Sequence, residues 1–121
     1  MRKTRLIDCN PEWVAEPDGI TLRYLKFDCP EGHEGCMRTI PVTPSLDGKP
    51  APAHLQVTWQ RTGDLFETIT LMPSIRGIPR YANRDEAIAA GCIPKYLTAS
   101  MYCAVHIFIR NGEIEFCGDS R

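Results

Sequence analysis

The chain has 121 residues, of which 43% are hydrophobic and 24% are charged, and its net charge is −1. That length fits one domain, residues 1–121, and the near-neutral charge argues against general nucleic-acid binding, which usually shows as a strong basic excess. No apolar run is long enough to span a membrane, and the N-terminus lacks the apolar stretch of a secretory signal. We therefore expect a cytoplasmic protein whose six cysteines stay reduced and act as metal ligands or small buried hydrophobes.

The first half of the chain predicts antiparallel β structure, because proline and glycine divide it into short segments. Residues 20–28 predict one strand and residues 37–44 a second, which we place at a sheet edge because Pro41 has no amide hydrogen to donate. The alternating pattern of residues 54–60 and the apolar run of residues 65–72 predict a hairpin around the turn sequence RTGD.

A long insert at about 76–100 contains the one predicted helix. Asn83 is a suitable N-cap, Glu86 stands three residues later as in a capping box, and Gly91 suits the C-terminal end. This helix is too short to form a layer of its own. We therefore predict a mainly β fold, a small antiparallel sheet or sandwich-like domain, with one short helix and a metal ion that staples it.

A C-terminal hairpin is the clearest local prediction. Asn111-Gly112 is the preferred pair for a two-residue type I′ turn. That turn fixes the register of its two strands and places His106 directly opposite Cys117. Alternate positions of the two strands then form one apolar face, made of Ile107, Ile109, Ile114 and Phe116.

Two short Cys/His clusters predict a metal site that joins distant parts of the chain. The first lies in the turn DCPEGHEGC and consists of Cys29, His33 and Cys36. Cys103 and His106 form the second, and the short spacings within both clusters suit zinc ligands. Because strand residues three apart point to opposite faces, Cys103 joins His106 only if it precedes the strand or a bulge intervenes. Cys117, across from His106, is therefore a competing ligand.

Several motifs occur along the chain in a characteristic order: DCNPEWV, FDCPEGHEGC, PSLDG, WQRTGDLFETITLMPSI and CAVHIFIRNGEIEFCGDS. Their order resembles a family of small phage and prophage proteins of unknown function, some of which carry an ammonia-monooxygenase label. The resemblance covers most of the chain apart from the insert. It implies a zinc-type site in which Cys29, Cys103 and His106 match family positions.

The resemblance also narrows the ligand set. Glu31 stands where a family cysteine often lies, so His33 or Cys36 has to supply the remaining ligand. We choose Cys36, which gives the common Cys₃His set, and keep His33 and Cys117 as alternatives. The predicted ligands of one structural Zn²⁺ are Cys29, Cys36, Cys103 and His106.

The function expected from the sequence is binding. We find no Gly-rich phosphate loop, no nucleophile elbow and no Ser/His/Asp arrangement, so we assign no catalytic residue and favour a binding protein over an enzyme. With the resemblance, this predicts a phage-encoded, zinc-stabilised domain that contacts a host or defence protein in the bacterial cytoplasm. The alternatives are a metal-dependent hydrolase using a zinc-bound water, with Glu31 or Glu34 as general base, and a nucleic-acid-binding zinc module.

Overall fold

The computed structural model describes residues 2–121 and contains an eight-stranded curled sheet, similar in shape to half of a barrel. Its strands are β1 (Lys3–Arg5), β2 (Glu12–Ala15), β3 (Leu22–Asp28), β4 (Met37–Thr43), β5 (Trp59–Thr62), β6 (Thr70–Arg76), β7 (His106–Arg110) and β8 (Glu113–Phe116). They lie in the order β1-β8-β7-β6-β5-β4-β3-β2. The prediction of a mainly β fold with one short helix is confirmed.

The core covers one face of this sheet, because successive residues of a strand point to opposite sides. In β7 the side chains of Ile107 and Ile109 are fully buried, whereas those of His106 and Phe108 between them are partly exposed. The same alternation buries Leu71 and Ile75 in β6, Leu25 and Phe27 in β3, and Ile114 and Phe116 in β8. The opposite face of β6 and β7 therefore carries the polar side chains.

The predicted edge position of β4 is wrong. β4 pairs with β3 from Met37 to Pro41 and with β5 through Val42 and Thr43, so it lies inside the sheet. Pro41 is tolerated there because the pairing with β5 begins only after it. The contact between β4 and β5 is also parallel, and every other strand pair is antiparallel.

The predicted central hairpin exists, but its strands start later in the chain than the sequence pattern indicated. Gln60 pairs with Met72 and Thr62 with Thr70, so β5 and β6 are antiparallel neighbours. Residues 54–58 are not in a strand, and Val57 is 66% exposed. Their alternation therefore did not reflect burial, and the connection after Gly63 is longer than a tight turn.

The segment between β6 and β7 contains the helix α1 (Arg84–Ala89) and two 3-10 turns, Pro94–Tyr96 and Ala99–Met101. A further 3-10 turn, Leu6–Cys9, follows β1. The predicted cap is confirmed, since the Asn83 side chain accepts a hydrogen bond from the Glu86 amide at 2.8 Å. With only six residues in α1, no helix within residues 2–121 has the length of a membrane span.

The C-terminal hairpin has the predicted turn and register. Asn111 and Gly112 both have positive φ angles, of 50° and 75°, as a type I′ turn requires. Ile109 pairs with Ile114, and the Cys117 amide donates to the His106 carbonyl at 2.8 Å. The hairpin thus holds His106 at the start of β7, with the chain leaving β8 directly beside it.

Candidate active site and metal centre

An irregularity in β6 places a serine against β7. The pairing of Leu71 with Ile109 is followed by that of Ile75 with Ile107, so β6 contains two more residues than β7 over this stretch. Such bulges re-aim side chains and are common beside active sites. Here the bulge turns the Ser74 hydroxyl toward His106, and the Trp59 indole N–H holds the Ser74 carbonyl at 3.1 Å.

Ser74, His106 and Asp119 form a continuous hydrogen-bonded chain. The Nε2 atom of His106 lies 3.1 Å from the Ser74 hydroxyl oxygen, and its Nδ1 atom lies 2.7 Å from Oδ1 of Asp119. When Nδ1–H donates to the carboxylate, Nε2 is left as an acceptor, so the Ser74 hydroxyl can donate to it. This is the order of contacts in a nucleophile, base and orienting-acid triad.

The charge on Asp119 supports this arrangement. Its hydrogen bond with His106 lowers the pKa of the Asp119 carboxyl, and the nearby Arg76 guanidinium acts in the same direction. Arg76 donates to the second carboxylate oxygen, Oδ2, at 3.2 Å. Asp119 is therefore ionised at neutral pH and favours the imidazole tautomer that has its proton on Nδ1.

A separate cluster brings three cysteines and a histidine together. The ligand atoms of Cys29, His33, Cys36 and Cys103 all lie within 4.8 Å of one another, and the three cysteines are buried. The Cys29 and Cys103 sulfurs are 3.6 Å apart, far longer than a disulfide bond. Tetrahedral zinc with Zn–S bonds of 2.3 Å would separate two sulfurs by about 3.8 Å, so the spacing suits a metal ion.

The turn that carries three of these ligands is shaped by its glycines. Gly32 and Gly35 have φ angles of 79° and 73°, which non-glycine residues rarely adopt. The Cys29 amide donates to the Cys36 carbonyl at 2.9 Å, and the Cys36 amide donates to the His33 carbonyl at 3.2 Å. These bonds close the turn so that both sulfurs and the imidazole converge.

A positively charged side chain, Arg38, lies next to the cluster and favours the thiolate form of Cys103. The hydrogen bond between the Cys29 and Cys103 sulfurs lowers the pKa of the Cys103 thiol, and Arg38 shifts this pKa in the same direction. Within the described residues, the Arg38 Nε atom is the one buried side-chain nitrogen or oxygen that has no hydrogen-bond partner. The Arg38 guanidinium, which donates to the Cys103 carbonyl at 3.4 Å, suits a metal site whose thiolates leave a net negative charge.

The structure brings together three of the four residues predicted as metal ligands and places the fourth, His106, elsewhere. Cys29, Cys36 and Cys103 meet as expected, but His33 completes the group instead of His106. Cys103 precedes β7 and turns into the interior, whereas His106, the first residue of the strand, points outward. Both ring nitrogens of His106 already have partners, Ser74 and Asp119, and Cys117 lies on that outer side, away from the buried thiols.

Sequence reasoning missed Ser74 and Asp119. Neither residue lies in a recognisable local motif, because Ser74 depends on a bulge and Asp119 follows the last strand. The one available signal was the position of His106 at the beginning of a strand with a Gly-Asp-Ser sequence after its hairpin partner. That signal alone does not identify the triad, because the pairing register of β6 with β7 is needed to show that Ser74 lies next to His106.

The fold and the geometry of this site define a candidate serine hydrolase built on an antiparallel sheet. Comparison with known families agrees with that class and makes it specific. A family model described as "Bacterial ubiquitination-like system serine protease (BubE)" matches residues 5–117, and the chain belongs to this family. No curated protein and no solved structure matches the chain.

This family corrects the function expected from the sequence. A phage-encoded zinc-stabilised domain that binds a host or defence protein is wrong, because the matching family is described as a serine protease of a ubiquitination-like system. That description contains neither phage origin nor an ammonia-monooxygenase label. The description names a serine protease, whereas the two alternatives from the sequence were a hydrolase with a zinc-bound water and a nucleic-acid-binding module.

Proposed function

We propose that this chain is a serine protease that acts within a bacterial ubiquitination-like system, with Ser74 as nucleophile, His106 as general base and Asp119 as the orienting acid. The observation that carries the proposal is the pair of hydrogen bonds on the two ring nitrogens of His106, at 3.1 Å and 2.7 Å. Membership of a family described as a serine protease supports the same reaction.

The two hydrogen bonds of His106 assign its role in the proposed amide hydrolysis. His106 Nε2 takes the hydroxyl proton as Ser74 Oγ bonds to the substrate carbonyl carbon, and Asp119 stabilises the imidazolium that results. The imidazolium then gives its proton to the leaving amine as the C–N bond breaks, which leaves an acyl ester on Ser74. Water, deprotonated by His106, attacks this ester, and the imidazolium returns the proton to Ser74 Oγ as the C–O bond breaks and the carboxylate product leaves.

The surface around Ser74 can accept a polypeptide. One cleft, with a volume of about 540 Å³, is lined by residues on the Asp119 side of the triad, among them Arg76 and Arg121. Another, of about 340 Å³, is formed by Thr58, Gln60, Met72 and Pro73, next to the serine. We therefore propose that the protein partner of this chain is its substrate, bound across the outer face of β6.

Replacement of the nucleophile tests this function. Ser74→Ala should lower the rate of peptide hydrolysis by about 10³-fold or more, and a fluorophosphonate probe should label the original protein at Ser74 but not the variant. Ser100→Ala is a matched control, because Ser100 lies in a 3-10 turn of the insert and bonds only Thr98 among the described residues. Equal activity or labelling in Ser74→Ala would refute the assignment.

The metal centre is proposed to hold one structural Zn²⁺, bound by Cys29, His33, Cys36 and Cys103. Four soft or borderline protein ligands leave no open position for a water, which is typical of structural zinc and unlike catalytic zinc. Elemental analysis of the purified protein should find about one zinc per chain. His33→Ala should lower that content, whereas His54→Ala, which changes a histidine outside the cluster, should leave it unchanged.

A further inference from the structure

Glu31 lies between Cys29 and His33 in the turn of residues 29–36, which carries three of the proposed metal ligands and is called the metal-binding turn below. Its side chain points toward the Ser74–His106–Asp119 site instead. The carboxylate is 7% exposed and accepts two hydrogen bonds from the Arg2 guanidinium, at 2.7 Å and 2.9 Å. It also accepts a hydrogen bond from the Ser120 hydroxyl. A buried carboxylate with three such bonds is held in a single position.

Ser120 connects this carboxylate to the triad. Its hydroxyl donates to Glu31 and accepts from the backbone amide of His106 at 2.9 Å. Ser120 also directly follows Asp119 in the chain. The Ser120 side chain thus links the residue that follows Asp119 to the backbone of His106 and to Glu31 of the metal-binding turn.

Backbone hydrogen bonds join Cys117 to His106 and Arg121 to Ala104 on the two sides of Asp119, but none of those in the described residues involves the Asp119 backbone itself. Residues 117–121 follow β8 and belong to no strand, and the Asp119 side chain is 53% exposed. Its contact with Arg76 is between two exposed groups, a type of ion pair that contributes little. The position of the Asp119 carboxylate on His106 Nδ1 therefore depends on how firmly its own backbone is tied down.

We propose that Ser120 and Glu31 are positioning residues of the triad, which hold the Asp119 carboxylate against His106 and link the active site mechanically to the metal-binding turn. Neither residue contacts Ser74, so both act through the His106–Asp119 pair. The catalytic consequence depends on the proposed protease function. The geometric consequence, which is the integrity of the hydrogen bond between His106 and Asp119, does not.

The test compares Ser120→Ala with Ser120→Thr in the full chain. Ser120→Ala should lower kcat for a peptide substrate by about 10- to 100-fold, as expected for a small misplacement of a catalytic group, with KM little changed. Ser120→Thr keeps the hydroxyl and should restore most of kcat, because Ser120 is only partly buried and leaves room for a methyl group. Glu31→Ala should resemble Ser120→Ala, and Glu34→Ala, an exposed change in the same turn, should be neutral.

A second measurement separates this inference from the protease assignment. Proton NMR should show a strongly downfield signal from His106 Nδ1–H bonded to Asp119, which disappears or exchanges faster in Ser120→Ala and returns in Ser120→Thr. An unchanged signal and an unchanged kcat in Ser120→Ala would overturn the inference while Ser74 stays the nucleophile. If Ser74→Ala shows that the protein is not a protease, the NMR signal alone decides whether Ser120 positions the pair.

Discussion

Cys103→Ser provides a quantitative test of the metal centre. Cys29, His33 and Cys36 are close in sequence, so an unfolded chain can keep an ion on them without closing a long loop. Cys103 is 74 residues from Cys29, and in the proposed metal site its bond to the ion would therefore be the one that joins two distant segments. In the folded protein this ligand is already in place, because its side chain is fully buried beside the other sulfurs.

The magnitude follows from that separation. Closing a loop of this length costs an unfolded chain about 4.5 kcal/mol by the chain-entropy treatment of cross-links, which is the upper limit of what the Cys103 bond contributes. We expect Cys103→Ser to lower the free energy of unfolding by about 3 to 4.5 kcal/mol. For a urea slope of about 2 kcal/mol per molar, the midpoint should fall by about 1.5 to 2.3 M.

The assay is urea unfolding of both proteins with and without a strong chelator. The chelator should destabilise the original protein substantially but have a much smaller effect on Cys103→Ser, since the long-range link is then already lost. Cys92→Ser serves as the control, because this partly exposed thiol lies outside the cluster. The reasoning fails if Cys103→Ser costs less than about 1 kcal/mol, or if the chelator destabilises both proteins equally.

Three other changes have defined outcomes. Asp119→Asn should lower kcat by about 10⁴-fold while the chain stays folded, because an amide no longer favours the required imidazole tautomer; unchanged kcat would exclude an orienting role. Hydrogen bonds from Thr21 lower the pKa of Asp18 to about 2, so the stability this pair provides is present above pH 4, the range of an unfolded aspartate, and lost as pH falls through about 2. Thr21→Val should raise that pKa in an NMR titration, and no change would contradict the cause. Gly112→Ala should destabilise the chain by more than about 1 kcal/mol in urea unfolding, because φ is 75° and a Cβ would collide with a backbone carbonyl, whereas Gly118→Ala, which meets open space, should be neutral.

Elements with local causes could be predicted from the sequence. The type I′ turn at Asn111-Gly112 and the Asn83 cap depend on residues only a few positions apart, and both appear as expected. The metal-binding turn belongs to the same group, because two glycines and closely spaced ligands already specify its geometry. Cys103, which comes from far along the chain, also lies in the cluster, and the family resemblance was what selected it over Cys117.

Features that depend on register between distant strands could not be predicted. The edge assignment of Pro41 failed because a parallel strand, β5, joins β4 only after that residue. Ser74 reaches His106 only through a two-residue bulge in β6. The local sequence does not show this bulge, because it is defined by the pairing of β6 with β7. The position of His106 outside the cysteine cluster could not be predicted for the same reason, since the spacing from Cys103 is suitable for zinc whichever face of β7 the imidazole occupies.

The proposed choice of His33 instead of His106 as the fourth metal ligand is consistent with the two hydrogen bonds that His106 already makes. An imidazole bound to zinc has one nitrogen committed to the ion, so it cannot bond both a serine and a carboxylate. The chain entering β7 places Cys103 on the buried side of the sheet and His106 on the outer side. The proposed metal ligand and the proposed catalytic base therefore lie on opposite faces, although they are only three positions apart. A short chain can therefore place a stabilising ion close behind a proposed active site without losing the base, provided a local histidine such as His33 supplies the fourth ligand.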